Sequence, residues 1–251
     1  MNGSNHNFRL ACAFGLLTSL APSAFAEGPH WAYKGHGDPA HWAELSPDFA
    51  TCQLGKIQSP IDITGAVKGT LQPIAFHYQD SPVSLWNNGH TLQVNPASGN
   101  YIEVAGTRYD LLQFHFHTPS EEKIEGRTFS MVAHLVHKNA AGQLAVVAVL
   151  LEEGETDNAF LTPFWSQLPS TPSEPKVLDS QPLNPAHLLP AQQQYYSYQG
   201  SLTTPPCSEG VAWLVLKQPV TISRQQHAAF QALFPANARP TQPLNGRVIY
   251  Q

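Results

Sequence analysis

Short apolar stretches, alternating with polar residues or unbroken, recur along the chain between residues that favour turns. Tyr109 to His117, Phe129 to His137, Leu144 to Leu151 and Val211 to Leu216 read as β-strands by alternation or as short runs rich in Val, Phe and Leu. Glu125-Gly126 marks a turn between the first two, which are expected to be neighbours, although Thr118 to Ile124 makes the connection longer than a tight hairpin. Helical spacing is convincing at Arg224 to Leu233, where Ser223 is placed to cap the start and Pro235 to end the run. Pro169 to Pro190 reads as a loop, and 22 Pro and 17 Gly spread through the chain mark no repeat and no interdomain linker. A single mainly-β domain with some helix (α+β) is predicted.

The N-terminus departs from this pattern. Arg9, the apolar run Leu10 to Leu20 and Ala24-Phe25-Ala26 form the three zones of a secretory signal peptide, 1–26, cleaved after Ala26. The run is too short to span a bilayer, and Cys12 has no lipid-attachment signal before it, so no membrane anchor is expected and the protein is assigned to the periplasm or the exterior. Residues 27–251 then form the mature domain, whose net charge is one unit more negative than the −5 of the whole chain because Arg9 is removed. Thirteen Lys and Arg against eighteen Asp and Glu leave no electrostatic footprint for nucleic acid or anionic lipid, and 42% hydrophobic residues exclude a disordered chain. Export leaves two cysteines, Cys52 and Cys207, in an oxidising compartment, where one disulfide is expected; two buried thiols are the other reading. Such a bond closes a loop of about 155 residues and is worth about 4 to 5 kcal/mol.

The chemistry begins at Phe114-His115-Phe116-His117. In a strand, side chains two residues apart share a face with Cα atoms about 6.5 Å apart, so both imidazoles can approach one ion while the phenylalanines point the other way. His-x-His alone is weak evidence, but His134 lies in the next strand and can reach across as a third neutral nitrogen ligand, whereas His137 has the opposite parity. Three histidines with an open fourth position is the catalytic pattern for zinc, since structural sites close with four protein ligands. Neutral ligands leave the dication's charge uncompensated, which lowers the pKa of a bound water from about 15.7 to about 7 and supplies a nucleophile at neutral pH.

His30-Trp31-Ala32-Tyr33, Gln58-Ser59-Pro60-Ile61-Asp62-Ile63, Asn87-Asn88-Gly89-His90, Gln113-Phe114-His115-Phe116-His117, His134-Leu135-Val136-His137 and Ser201-Leu202-Thr203-Thr204-Pro205-Pro206 together resemble the alpha-class carbonic anhydrases, in the order of that family. The resemblance spans nearly all of the mature chain, and Cys52 and Cys207 fall where exported bacterial members have theirs. It implies one domain around a large twisted, mostly antiparallel sheet with a few short peripheral helices. It also implies zinc held by His115, His117 and His134, and hydration of carbon dioxide to bicarbonate by a zinc hydroxide. Thr203 matches the hydroxyl that orients the nucleophile, Glu121 its carboxylate partner and His90 the proton shuttle. Val136, Val146, Leu202, Val211 and Trp213 resemble the apolar wall for carbon dioxide, with Thr204 also at the substrate. Tyr33, Asn88 and Gln93 match the polar side of the cleft, Gln93 replacing a shorter amide. Esterase activity, inhibition by sulfonamides and the option of a homodimer follow from the same resemblance.

One position departs. The family places a carboxylate two residues before the third ligand, on the distal N–H of that imidazole, and here the residue is Val132. Gln113 can still support His115 and a carbonyl His117, but His134 is expected to lack its anionic partner, so that zinc exchanges faster and activity is reduced. Glu122 or a water as a substitute is left open. Two other readings share part of the pattern. A cupin-type metal enzyme shares the spacing of His115, His117 and Glu121 but lacks the flanking glycine signatures. A zinc-binding module with weak or no catalysis is made conceivable by Val132.

Overall fold

The computed structural model describes Met1, Gly3 and residues 30–251. The signal-peptide reading of 1–26, with Cys12, lies outside the described residues apart from Met1 and Gly3. The four expected strands stand side by side in one sheet as Thr107–His117, Met131–Lys138, Leu144–Gly154 and Glu209–Leu216. Leu92–Pro96, Ser81–Asn87 and Lys176–Leu183 extend the sheet beyond the first, and Tyr195–Ser201 extends it beyond the last. Pairing along this path is antiparallel except where Leu144–Gly154 meets Glu209–Leu216; Leu144–Gly154 also pairs in parallel with Val220–Ser223.

The central strands read as near-continuous apolar runs because both faces of the sheet are covered. Phe114, Phe116, Ala133, Leu135, Val147, Val149 and Leu214 pack on one face. Val132, Val136, Val146, Ala148, Trp213 and Val215, the alternate positions, pack on the other. The period of two therefore places His115 and His117 opposite Phe114 and Phe116, and it places His134 opposite Ala133 and Leu135.

The expected turn forms at Glu125-Gly126, both with positive φ (49° and 77°), between the short strands Lys123–Ile124 and Arg127–Thr128. Arg224–Leu233 is the longest helix among the described residues; the Ser223 side chain accepts from the Gln226 backbone and the Gln226 side chain from the Ser223 backbone, a reciprocal cap. The remaining described α-helices, Trp42–Leu45, Thr51–Leu54 and Thr162–Trp165, are short. One expectation is corrected: the loop Pro169 to Pro190 contains the strand Lys176–Leu183. Its regular pairing covers Lys176 to Leu178 before the register shifts, which is too short to leave an alternating signature. Cys52 and Cys207 are disulfide-bonded, as the cysteine count suggested. Among the described residues no helix is long and apolar enough to cross a membrane.

Candidate metal centre

Cross-strand register builds the site. His115 lies directly opposite His134 in the antiparallel pair of Thr107–His117 with Met131–Lys138, and the next strand places Gln93 opposite His115. The ligand-capable nitrogens of His115, His117 and His134 all lie within 4.8 Å of one another, with His117 and His134 buried and His115 partly open.

Each imidazole is held through one nitrogen. Nδ1 of His115 lies 2.8 Å from Oε1 of Gln113, and Nδ1 of His117 lies 2.8 Å from the carbonyl of Asn237. A carbonyl only accepts, so these nitrogens donate and Nε2 of each ring keeps its lone pair. Nε2 of His117 is buried without a hydrogen-bond partner, which is costly unless a cation takes the lone pair. His134 is arranged the other way round, with Nε2 lying 3.1 and 3.2 Å from the two carboxylate oxygens of Glu122, so Nδ1 is the nitrogen left free. Burial, reinforced by the neighbouring His134, pulls His115 down to about 3. The same causes, with His115 added, hold His117 well below its ordinary value. Burial also pushes His134 down, but the charge and hydrogen bond of Glu122, with Glu121 beyond, outweigh it and raise this ring above its usual value. Three imidazoles with a lone pair each to offer suit zinc or a similar borderline cation.

Glu122 corrects the expectation drawn from Val132. His134 has an anionic partner, reached from the turn after its neighbouring strand rather than from its own strand. Val132 is fully buried in the apolar cluster that holds Ile61, Ile63 and Phe129.

Glu121 is buried and accepts the backbone N–H of Arg239 at 2.8 Å. Burial raises its carboxyl to about 7, partly opposed by His134, while Glu122 raises it further and the Arg239 N–H and Thr203 hydroxyl lower it. Thr203 is buried beside this carboxylate on the segment after Tyr195–Ser201. Val136, Val146 and Trp213 occupy facing positions on three successive strands, and Val211 and Leu202 join the same apolar cluster. Trp213 stands edge-on to His134, ring centroids 4.9 Å apart.

Above the imidazoles a cavity of about 110 Å³ is lined by Tyr33, Asn88, His90, Gln93 and Thr204 together with His115 and His117. His90 stacks on Trp31, centroids 3.7 Å apart and planes 7° from parallel. Burial and the nearby His30 lower its pKa. His137 stays out of the site, as its parity predicts, and its Nε2 lies 2.7 Å from the hydroxyl of Tyr78. The contributions of Asn237 and Arg239 are made by backbone groups more than a hundred residues from the side chains they hold. Sequence carries no signal for them. A larger cavity of about 450 Å³ beside Leu71, Tyr195 and Lys217 contains no converging ligand set, so chemistry rather than size singles out the smaller one.

A mixed sheet that gathers three imidazoles, each with a lone pair to offer, beside a small polar-lined cavity has the donor set of a metal-binding site. Residues 37–251 match the model of the eukaryotic-type carbonic anhydrases, and the chain belongs to that family. It is 48% identical over 240 residues to a carbonic anhydrase of Neisseria gonorrhoeae, covering 94% of each chain. It is 45% identical over 236 residues to one of Pectobacterium carotovorum, covering 93% of this chain and 96% of the relative. The structure of the alpha-carbonic anhydrase of Thermovibrio ammonificans in complex with the inhibitor sulfanilamide superposes with a TM-score of 0.86 at 42% identity, over 90% of this chain and all of that one.

Proposed function

We propose that the chain is a zinc-dependent carbonic anhydrase that interconverts carbon dioxide and bicarbonate, with the ion held by Nε2 of His115, Nε2 of His117 and Nδ1 of His134. The observation that carries this reading is the tautomer pattern, in which three acceptors hold one nitrogen of each ring and leave three lone pairs to one cation. When bound, zinc supplies the Lewis acidity that makes water nucleophilic at neutral pH.

The rest falls to the chain's own side chains. Glu121, as an acceptor of the Thr203 hydroxyl proton, leaves the Thr203 oxygen free to accept a hydrogen bond from the attacking water and so to direct its lone pair. A dication held by His115, His117 and His134 would oppose the burial that raises Glu121 and would favour its ionised, accepting form. Val136, Val146, Leu202, Val211 and Trp213 offer uncharged carbon dioxide an apolar surface, while Thr204 faces the cleft beside it. Tyr33, Asn88 and Gln93 offer hydrogen bonds to ordered solvent, through which His90 takes up the released proton and passes it outward. An open coordination position also accounts for inhibition by sulfonamides, the chemistry named for the Thermovibrio relative. Export, with the mature domain at 27–251, is supported by the disulfide.

The zinc-binding module without catalysis rested on Val132, and the Glu122–His134 pair removes that ground. Metal content and carbon dioxide hydration measured on one purified sample test the proposal. One zinc per chain and a hydration rate abolished by chelation and restored by zinc are expected. Stoichiometric zinc without hydration overturns it.

A further inference from the structure

We propose that Glu122 is the positioning residue of the third metal ligand, and that Glu122 and Val132 form a compensated pair in which a turn supplies the carboxylate that the ligand's own strand lacks. The inference rests on the zinc reading above and extends it to a residue outside the ligand set.

Glu122 is fully buried. Burying a carboxylate is expensive unless it is paired and hydrogen-bonded, and both oxygens of Glu122 meet the same nitrogen, Nε2 of His134. A carboxylate accepts, so Nε2 carries the proton and Nδ1 the lone pair. The pair thus sets the tautomer, aims the ring and makes the nitrogen opposite more basic.

The turn that carries Glu122 is fastened on two sides. The Ser120 hydroxyl donates to the carbonyl of Glu122 at 2.8 Å and accepts the backbone N–H of Phe129 at 2.9 Å. The next residue, Lys123, donates its N–H to Ile61, and Lys123 and Ile124 pair in parallel with Asp62 and Ile63. Position 132, by contrast, lies among apolar side chains. A second carboxylate placed there would face the same imidazole that Glu122 already satisfies, or be left unpaired.

The test is the rate of zinc loss to a chelator from the holoprotein, for the wild type, Glu122→Gln, Val132→Glu and the double variant. Glu122→Gln is expected to release zinc about 10- to 100-fold faster. Val132→Glu alone is expected to give no slower release than the wild type. The double variant, with the carboxylate moved to the strand, is expected to recover most of the loss. A second readout is the downfield proton resonance of the His134 Nε2–H in the zinc form, expected in the wild type and shifted in Glu122→Gln. Zinc release from Glu122→Gln within twofold of the wild type overturns the proposal, as does slower release from Val132→Glu alone. If Glu122→Gln does not fold, the decision passes to the double variant, and a folded double variant that releases zinc 10-fold or more faster than the wild type overturns it. Failure of the wild type itself to bind zinc would instead strike the underlying reading, so the two failures are distinguishable.

Discussion

His90 shows how the setting of a single side chain fixes its place. Its ring lies flat on Trp31 at the rim of the cleft, and its backbone N–H is held by the side-chain oxygen of Asn88 at 2.9 Å. The imidazole therefore has a defined resting place in the wall of the small cavity. Burial and His30 lower its pKa, which favours the neutral form of the ring. In His90→Ala, turnover in a weakly buffering medium is expected to fall about 100-fold with zinc content unchanged. Added imidazole buffer is expected to restore much of it. A loss that buffer does not repair would mean that His90 acts by shaping the cleft. At this scale the sequence was legible where side chains share a strand face, as with His115, His117 and His134, which the structure brings together. It was opaque for Glu122, because no spacing rule relates a turn residue to an imidazole twelve positions later.

At the scale of elements, the strand Thr107–His117 carries a feature that alternation concealed. Its register with Met131–Lys138 shifts between Leu111 and Gln113, so Leu112 is the extra residue of a bulge and stands 45% exposed. The shift returns Leu111 to the face of Phe114 while Gln113 shares the face of His115, where its amide reaches the ring. The helix Arg224–Leu233, by contrast, was readable to the residue because its start is determined by local chemistry. Ser223→Ala should lower global stability by about 1 kcal/mol, measured as a shift in the urea midpoint with unchanged slope. A change within error would show that the side chain of Gln226, which also holds Asn158 at 2.7 Å, secures the helix start by itself. Gly200 marks a close approach that sequence does not reveal: a Cβ there would run into Ser59 and the Trp213 ring.

For the molecule as a whole, the disulfide and the segment leading to the C-terminus fasten the periphery to the site. Arg239 is buried; its guanidinium donates to the carbonyls of Ser59 and Cys52 at 2.7 and 2.8 Å, and its backbone N–H holds Glu121. The side chain of Gln58 donates to the carbonyl of Cys207 at 3.0 Å. The Cys52–Cys207 bond spans 155 residues of sequence, so its loss releases a large loop in the unfolded chain. The Cys52→Ser/Cys207→Ser variant is expected to lose about 4 to 5 kcal/mol in urea unfolding. A loss below about 1 kcal/mol would show that the contacts of Arg239 and Gln58 alone keep these segments together.

By itself the sequence determined the four central strands, the helix Arg224–Leu233, the grouping of three histidines and the cysteine pair, because alternation, ligand type and residue count are local properties that survive without coordinates. Only the tertiary structure decided which groups complete each imidazole. The acceptors on His117 and His134 come from a backbone carbonyl 120 residues away and from a turn carboxylate, and the bulge at Leu112 adjusts the register beside them. Hydrogen-bond partners are chosen by proximity in space, and proximity between distant segments is settled when the sheet closes on its two cores.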